Sequence, residues 1–467
     1  MISSVAERVA INMSISNKTI ALHWFRHDLR ISDNRALWRS ASRADELLCV
    51  YVLDPDWLKP NRFQSAHMGK HRQTFLKQSL HILNKELSEL GNGLLVLLGK
   101  PEKVLAEFII HNRVSDVTCT EHCGWYEKQQ WSFLQGVCQD TQFHSFPGHC
   151  LFDVSQLPFS LNELPKQFTQ FRKLVEDIAV DNPLTELDLL PPAPAVNNLT
   201  KSNNANFEVS EALGIDHSSP CLFDSGTLAA RNRLRHYFFN SQHIASYKQT
   251  RNNLSGWDAS NKISPWLANG NISPKQVLST LRQYEREHLR NESTYWLYFE
   301  LLWREYFYWY AMVHGKRLFH PQGLAKRKQL MSFWPKRFAM WTQANTPWPL
   351  VNACMTELNT TGFLSNRGRQ IVASCLVNEL NVDWRFGAAW FEQQLIDFDV
   401  ASNWGNWQYI AGVGCDPRGG RHFNIDKQTQ QFDPQGDYSR CWLGEENEAN
   451  ITLADLDDTD AADWPIG

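Results

Sequence analysis

Residues 294–313 read TYWLYFELLWREYFYWYAMV. Aromatic and aliphatic side chains recur there at three- and four-residue spacing, the period of a helix and not of a strand. The same period returns in RQIVASCLVNEL (369–380), and the pattern from 226 to 442 predicts an all-helical domain. Toward the N-terminus the period changes. Short apolar runs, TIALHWF (19–25), ELLCVYVL (46–53), GLLVLLG (93–99), VSDVTCT (114–120) and QFHSF (142–146), alternate with helical segments such as PEKVLAEFIIHN (101–112). That alternation marks a parallel sheet wrapped by helices, so residues 18–146 are predicted to form an α/β, doubly wound domain. Between the two units, 147–225 contains LLPPAPAVNNLTKSNNANF, whose Pro and Asn content predicts a surface connector.

The ends and the composition set further bounds. Residues 1–17 read as a loose leader, and 443–467, with eight acids and no base, as a solvated acidic tail. A net charge of −4 excludes a uniformly basic nucleic-acid binder, so any such function rests on a local patch. Nineteen Trp is a large number for 467 residues, and indoles are costly to place without packing and an N–H partner. Ten scattered Cys without a CxxC pair predict reduced thiols in a cytoplasmic protein. No metal site is expected: Cys119, His122 and Cys123 match no zinc spacing. No apolar run reaches membrane-spanning length, and neither GxGxxG nor GxxxxGK[ST] occurs.

Three constellations carry chemistry. On a helix Trp296, Glu300 and Trp303 fall on one face, which makes either a core stripe with Glu300 paired to Arg304, or a pocket for a flat ligand with an acid at its edge. Residues 306–356 hold no acid and seven bases, Lys316, Arg317, Lys326, Arg327, Lys328, Lys336 and Arg337, interleaved with aromatics. Such a run is either a solvated face or a track for phosphates and stacked bases. In the last, LIDFDVASNWGNWQYIAGVG (395–414) sets Asp397, Asp399 and Asn403 beside Trp404, Trp407 and Tyr409, with Arg369 fewer than thirty residues upstream. Arg369 and Asp397 make either a structural ion pair or part of a redox ligand's site, where a neutral Asn can face a ring nitrogen in either protonation state.

WFRHDLRISDN (24–34), ELLWREYF (300–307), GFLSNRGRQIVAS (362–374) and LIDFDVASNWGNWQYIAGVGCDPRGGRHFN (395–424) together resemble the photolyase and cryptochrome family, most of all its DASH cryptochrome branch, over about 20–442. The resemblance implies one FAD in the helical domain, blue-light excitation and electrons passed along tryptophans. It places Tyr247, Ser260, Asn261, Lys262, Ile263 and Ser264 at phosphate-binding positions. Glu300, Arg304, Asn366, Arg369, Asp397, Phe398, Asp399 and Asn403 match other cofactor-binding positions, with Asn403 facing the reactive nitrogen. Glu300, Asn366 and Asn403 are the expected catalytic residues, and Trp407, Trp384 and Trp334 the expected electron chain. Glu300, Trp303, Asn366, Gln370 and Tyr409 match the lesion pocket, and Arg251, Arg304 and Arg367 the DNA backbone contacts. Glu121 and Glu127 are the candidates for a methenyltetrahydrofolate antenna. TPWPLVN (346–352) departs from the family's usual TGYP-V-D, with Trp348 and Asn352 at the changed positions.

These resemblances imply a monomeric deoxyribodipyrimidine photo-lyase that splits cyclobutane pyrimidine dimers, preferentially in single-stranded DNA. The alternative is a blue-light photoreceptor that binds nucleic acid without repair. A plain flavin oxidoreductase fits least, because no nicotinamide motif is present.

Overall fold

The structure, a computed structural model, describes residues 18–195, 222–325, 332–415 and 419–445. The expected leader, most of the acidic tail, the 196–221 part of the connector, and Lys326, Arg327 and Lys328 lie outside the described residues.

Five parallel strands, β1 (Ile20–Phe25), β2 (Glu46–Leu53), β3 (Leu94–Leu98), β4 (Asp116–Thr120) and β5 (Gln142–Phe146), form one sheet in the order β3-β2-β1-β4-β5. Strand β2 shows why its sequence is apolar without interruption. Leu47, Cys49, Tyr51 and Leu53 enter the core on one face, and Leu48, Val50 and Val52 enter a separate core on the other. A strand covered on both faces has no solvent side on which to place polar residues. Helices α1 (Arg35–Ala41), α2 (Lys70–Glu89), α3 (Pro101–His111) and α4 (Trp125–Val137) supply the cover. The strand order reverses between β1 and β4, so their C-terminal ends bound the crevice where ligands of such sheets bind.

Within the expected connector, α5 (Phe168–Val175) buries Phe168, Phe171 and Val175 in the helical core. The proline run lies against the sheet: the Leu47 N–H donates to the Pro192 carbonyl at 3.0 Å, and Leu190 is buried.

The second unit is helical among the described residues. Its axis is α10 (Glu292–His314), which follows α6 (Gly226–Arg235), α7 (Tyr247–Thr250), α8 (Ser264–Asn269) and α9 (Pro274–Glu287). The start of α10 is fixed by Asn291, whose side chain accepts from the Ser293 and Thr294 N–H groups. Thirteen of its residues are buried, which explains why aromatics occur on every side and not along one stripe. Seven helices follow among the described residues: α11 (Pro335–Thr342), α12 (Pro349–Thr361), α13 (Asn366–Ser374), α14 (Trp384–Gln394), α15 (Val400–Ile410), α16 (Ile425–Phe432) and α17 (Asp437–Leu443), with α15 packed on α10 and α14.

The two units meet at the loop after β1. Gly270 has φ +74°, and a Cβ there would lie 1.9 Å from the His27 carbonyl oxygen, so only glycine permits this approach. Around it, Asn271 donates to the Leu29 carbonyl at 3.1 Å and Arg30 to the carbonyls of Gly270 (3.1 Å) and Gly148 (2.9 Å). The motif RHDLRISDN is thus a docking surface for the helical unit as well as one wall of the crevice.

Candidate functional site

Arg233, 5% exposed, organises the loop before α8. Its guanidinium donates to the carbonyls of Asn261 (2.8 Å), Ser260 (2.9 Å) and Trp257 (3.1 Å) and to Asp258 (2.6 Å). The Asn261 side chain accepts from the Ile263 N–H at 2.9 Å, bending the chain so that Lys262 adopts φ +50°. Ser260 to Ser264 therefore form a rigid turn ending at a helix start. Lys262 sits 4.7 Å from the Phe363 ring, and burial lowers its ammonium pKa to about 8. Tyr247 is buried at the head of α7, and burial raises its phenol well above the ordinary value. Sequence reasoning found this loop but not Arg233, whose role depends on carbonyls 24 to 28 residues away.

The second cluster joins α13 to α15. Arg369 donates to Asp397 Oδ2 at 2.7 Å and to the Leu364 carbonyl at 2.8 Å. Asp397 is buried, and its second oxygen, Oδ1, has no hydrogen-bond partner. A buried carboxylate oxygen left bare costs about 1–3 kcal/mol or more, so this atom suits a donor from a bound group. Asp399 caps α15 by accepting from the Ser402 N–H at 2.7 Å. Burial works against its charge, but Arg304 and the Ser402 contacts outweigh it and hold its carboxyl below the usual range. Phe398 between the two acids lies 4.8 Å from the Arg72 guanidinium. Asn403 is buried and fixed by donation of one amide N–H to the Ala388 carbonyl at 3.0 Å, which orients the amide and leaves its carbonyl oxygen as an acceptor.

Glu300 pairs with Arg251 at 2.6 Å. The core-stripe expectation of a Glu300–Arg304 pair is not met, because Arg304 instead donates to the His149 carbonyl, across the helix face toward the sheet unit. Burial raises the Glu300 pKa, with Arg251 opposing. One face of the Trp303 ring is stacked on Phe168 at 3.7 Å, and Tyr409 meets it edge-on at 6.0 Å. Arg421 donates to the Tyr409 hydroxyl. Asn366 is the exposed first residue of α13 and Gln370 lies one turn on, half-buried. Arg367 rests on the Phe432 ring at 4.6 Å with Asn252 and Gln428 at 3.4 Å. Asn352, at the departure from the family pattern, accepts from the Thr346 N–H (2.8 Å) and returns its amide to the Thr346 carbonyl (2.8 Å), so it closes the turn before α12.

Trp407 and Trp384 are both buried. The Trp407 ring lies over Gly387, one turn along α14 from Trp384, where a Cβ would come within 2.2 Å of it. Trp334 precedes α11 with the Arg337 guanidinium 4.4 Å from its ring. Of the acid-free run, Gln408 donates to the carbonyls of Arg317 (3.1 Å) and Leu318 (2.9 Å), and Arg337 donates to the Leu380 carbonyl at 3.2 Å.

At the crevice Glu121 continues β4, and its carbonyl accepts from the Tyr308 hydroxyl at 3.2 Å. Burial raises its carboxyl pKa. Glu127 lies 3.9 Å from His27 and 3.7 Å from His122, a grouping that the sequence, with His27 about a hundred residues away, did not signal. The described cysteines are free thiols. No helix among the described residues is long and apolar enough to cross a membrane.

The bare Asp397 oxygen, the fixed Asn403 and the Arg233-braced turn fit FAD: Asp397, Asp399, Asn403 and Arg369 would hold its ring system, and the 260–264 turn with Tyr247 its phosphates. Comparison with known proteins agrees. Residues 296–457 match the family described as the FAD binding domain of DNA photolyase, and 21–195 match that described as DNA photolyase. The chain is 45% identical to a cryptochrome DASH of Idiomarina loihiensis, covering 96% of both chains, and 40% identical to one of Synechocystis, covering 91% of this chain and 87% of the relative. The crystal structure of a Synechocystis cryptochrome superposes with TM-score 0.86 at 38% identity, over 94% of this chain and 91% of that one. An archaeal photolyase from Sulfolobus tokodaii, solved with two FAD molecules, gives 0.73 at 27% identity, over 94% and 92%. With sheet order, flavin-fitting acids and sequence in agreement along nearly its whole length, this FAD-binding chain belongs to the photolyase and cryptochrome family, in its cryptochrome DASH branch.

Proposed function

We propose that the protein repairs cyclobutane pyrimidine dimers in single-stranded DNA under blue light, as a cytoplasmic monomer. The observation that carries this reading is the aromatic cluster at Trp303: Phe168 stacks on its ring at 3.7 Å, Phe307 lies near-parallel at 5.5 Å, and Tyr409, held by Arg421, meets it edge-on at 6.0 Å. Bound and reduced, FAD supplies the light-excited electron. The chain's residues do the rest. Trp303 contacts a thymine ring, and Glu300, with its pKa raised by burial, hydrogen-bonds the base edge. Arg251 and Arg367 position the strand, with Asn366 and Gln370 beside them, while Arg304, committed to the His149 carbonyl, braces Asp399 instead. Asn403 would present its carbonyl to the ring nitrogen, and Trp407 and Trp384 would pass electrons inward from solution reductants. Glu121 and Glu127, at the reversal of strand order, hold a methenyltetrahydrofolate antenna.

The strand preference follows from energies. Extruding a dimer from duplex costs a few kcal/mol, and most of that cost is absent in a single strand. Gln370 and Tyr409 are polar and offer little stacking area in return. The test is light-dependent repair of dimers in single- and double-stranded substrates side by side, with binding measured against salt. Repair of the single strand alone is expected, with affinity falling steeply as salt rises. Equal repair of both would refute the pocket argument. Binding without repair of either would make the protein a photoreceptor that contacts nucleic acid.

A further inference from the structure

The indoles of this chain differ in what accepts their N–H. Trp384 donates to the Pro321 carbonyl at 3.2 Å and Trp341 to the Val372 carbonyl at 2.9 Å, while the N–H groups of Trp334 and Trp390 are buried without a partner. Trp404 donates to a carboxylate, Glu392 Oε2, at 3.1 Å. The other oxygen of Glu392 lies 2.6 Å from His67 Nδ1, and the His67 side chain is 40% exposed. Trp404 itself is 3% exposed, and its ring meets Trp384 edge-on at 5.8 Å. Trp309 also donates to a carboxylate, Glu305, but its ring neighbour among the described residues is Tyr308. An indole that loses an electron becomes a strong N–H acid, and a peptide carbonyl cannot take that proton whereas a carboxylate can.

We propose that Trp404 donates an electron to oxidised Trp384 and releases its proton through Glu392 and His67. This rests on the flavin reading above. One electron leaves Trp407 for the light-excited flavin, Trp384 refills Trp407, and Trp404 refills Trp384. The Nε1 proton of oxidised Trp404 passes to Glu392 Oε2, and His67 releases one to solvent. An external thiol later returns the electron, solvent returns the proton, and the thiol is the species oxidised. Trp334 is poorly equipped for this end of the chain, since the Arg337 cation over its ring opposes oxidation and its N–H has no acceptor. The groups facing the relay are few. Arg72 donates to the Glu392 backbone carbonyl at 2.9 Å, and Asp54 faces His67. Glu392 raises the His67 pKa, with burial and Arg72 opposing. Phe63 and Phe319 cover the Trp404 ring.

The experiment is laser flash spectroscopy with time-resolved EPR on the full chain, after its FAD content has been measured. Wild type is expected to form a neutral, deprotonated tryptophan radical. Trp404→Phe should leave only the Trp384 radical cation, lost about tenfold faster, the factor that one pKa unit of driving force represents. Glu392→Gln should let the electron arrive but trap the cation form, and surface variant His67→Gln should slow deprotonation. In the dark, the Trp404 indole N–H resonance should shift as His67 titrates, a readout independent of photochemistry. Unchanged radical species and decay in Trp404→Phe, or a deprotonated radical persisting in Glu392→Gln, would overturn the relay. Chain lacking flavin would overturn the functional reading and the relay together; flavin-bound chain with unchanged variants would overturn the relay alone.

Discussion

Removing Arg369 should unfold the flavin site from within. Its partner Asp397 has a side chain 3% exposed, one oxygen 2.7 Å from the guanidinium and the other without a partner. Arg369→Gln leaves a buried carboxylate with no countercharge, and breaking a buried pair from one side costs about 3–5 kcal/mol. The Arg369 side chain is itself 26% exposed, so water softens the loss and about 3 kcal/mol is the fitting end of that range. For a unit the size of the helical domain, ~1 kcal/mol moves the melting midpoint by about 2–4 °C, so a fall of about 6–12 °C is expected. The assay is thermal melting of variant and wild type side by side, with FAD content read from flavin absorbance. Arg369→Gln should also release FAD, because the guanidinium no longer holds the Asp397 carboxylate in place as an acceptor. Combining it with Asp397→Asn should recover part of the midpoint, since a neutral amide is cheaper to bury than an unpaired charge. The exposed pair Arg440–Asp437 is the control, and Arg440→Gln should move the midpoint by less than about 2 °C. A shift of that small size in Arg369→Gln, with FAD retained, would refute the claim that this pair holds the site.

Trp407→Phe and Trp384→Phe should each keep FAD and lose most light-driven reduction by external thiol; normal photoreduction in both would show that another route dominates. Gly387→Ala forces a methyl to within 2.2 Å of the Trp407 ring, and such overpacking costs about 1–3 kcal/mol; lower melting and slower photoreduction are expected, and an unchanged protein would show the indole free to move. Glu357 accepts from the Tyr438 hydroxyl, and burial raises its pKa to about 7. Its folded-state pKa exceeds the unfolded one, so the folded state holds the extra proton and stability should fall as pH rises from the ordinary carboxyl range through about 7. Glu357→Gln should flatten that slope in denaturant midpoints measured across the window, and an unaltered slope would assign it to other groups.

Which features were legible follows from the range of the interactions. The two domains were readable because strand and helix periods are local, and β2 and α10 carry them without ambiguity. The acids, amide and arginine of the flavin site were readable because they sit in short contiguous motifs, with Arg369 and Asp397 only 28 residues apart. What the sequence could not determine was how charges and rings distribute their partners. Glu300 could reach Arg304 one turn on or Arg251 from another helix, and only packing decides for Arg251. Arg233 braces a turn through four acceptors, and Glu392 links Trp404 to His67 across 325 residues of sequence, contacts without a periodic signature. Sequence by itself therefore determined the element types, the family and the chemical inventory, because these depend on neighbours along the chain. The tertiary structure decided which oxygen is left bare, which indole has a proton acceptor and which arginine holds which acid, because hydrogen bonds are settled by distances of about 3 Å between elements that sequence alone does not bring together.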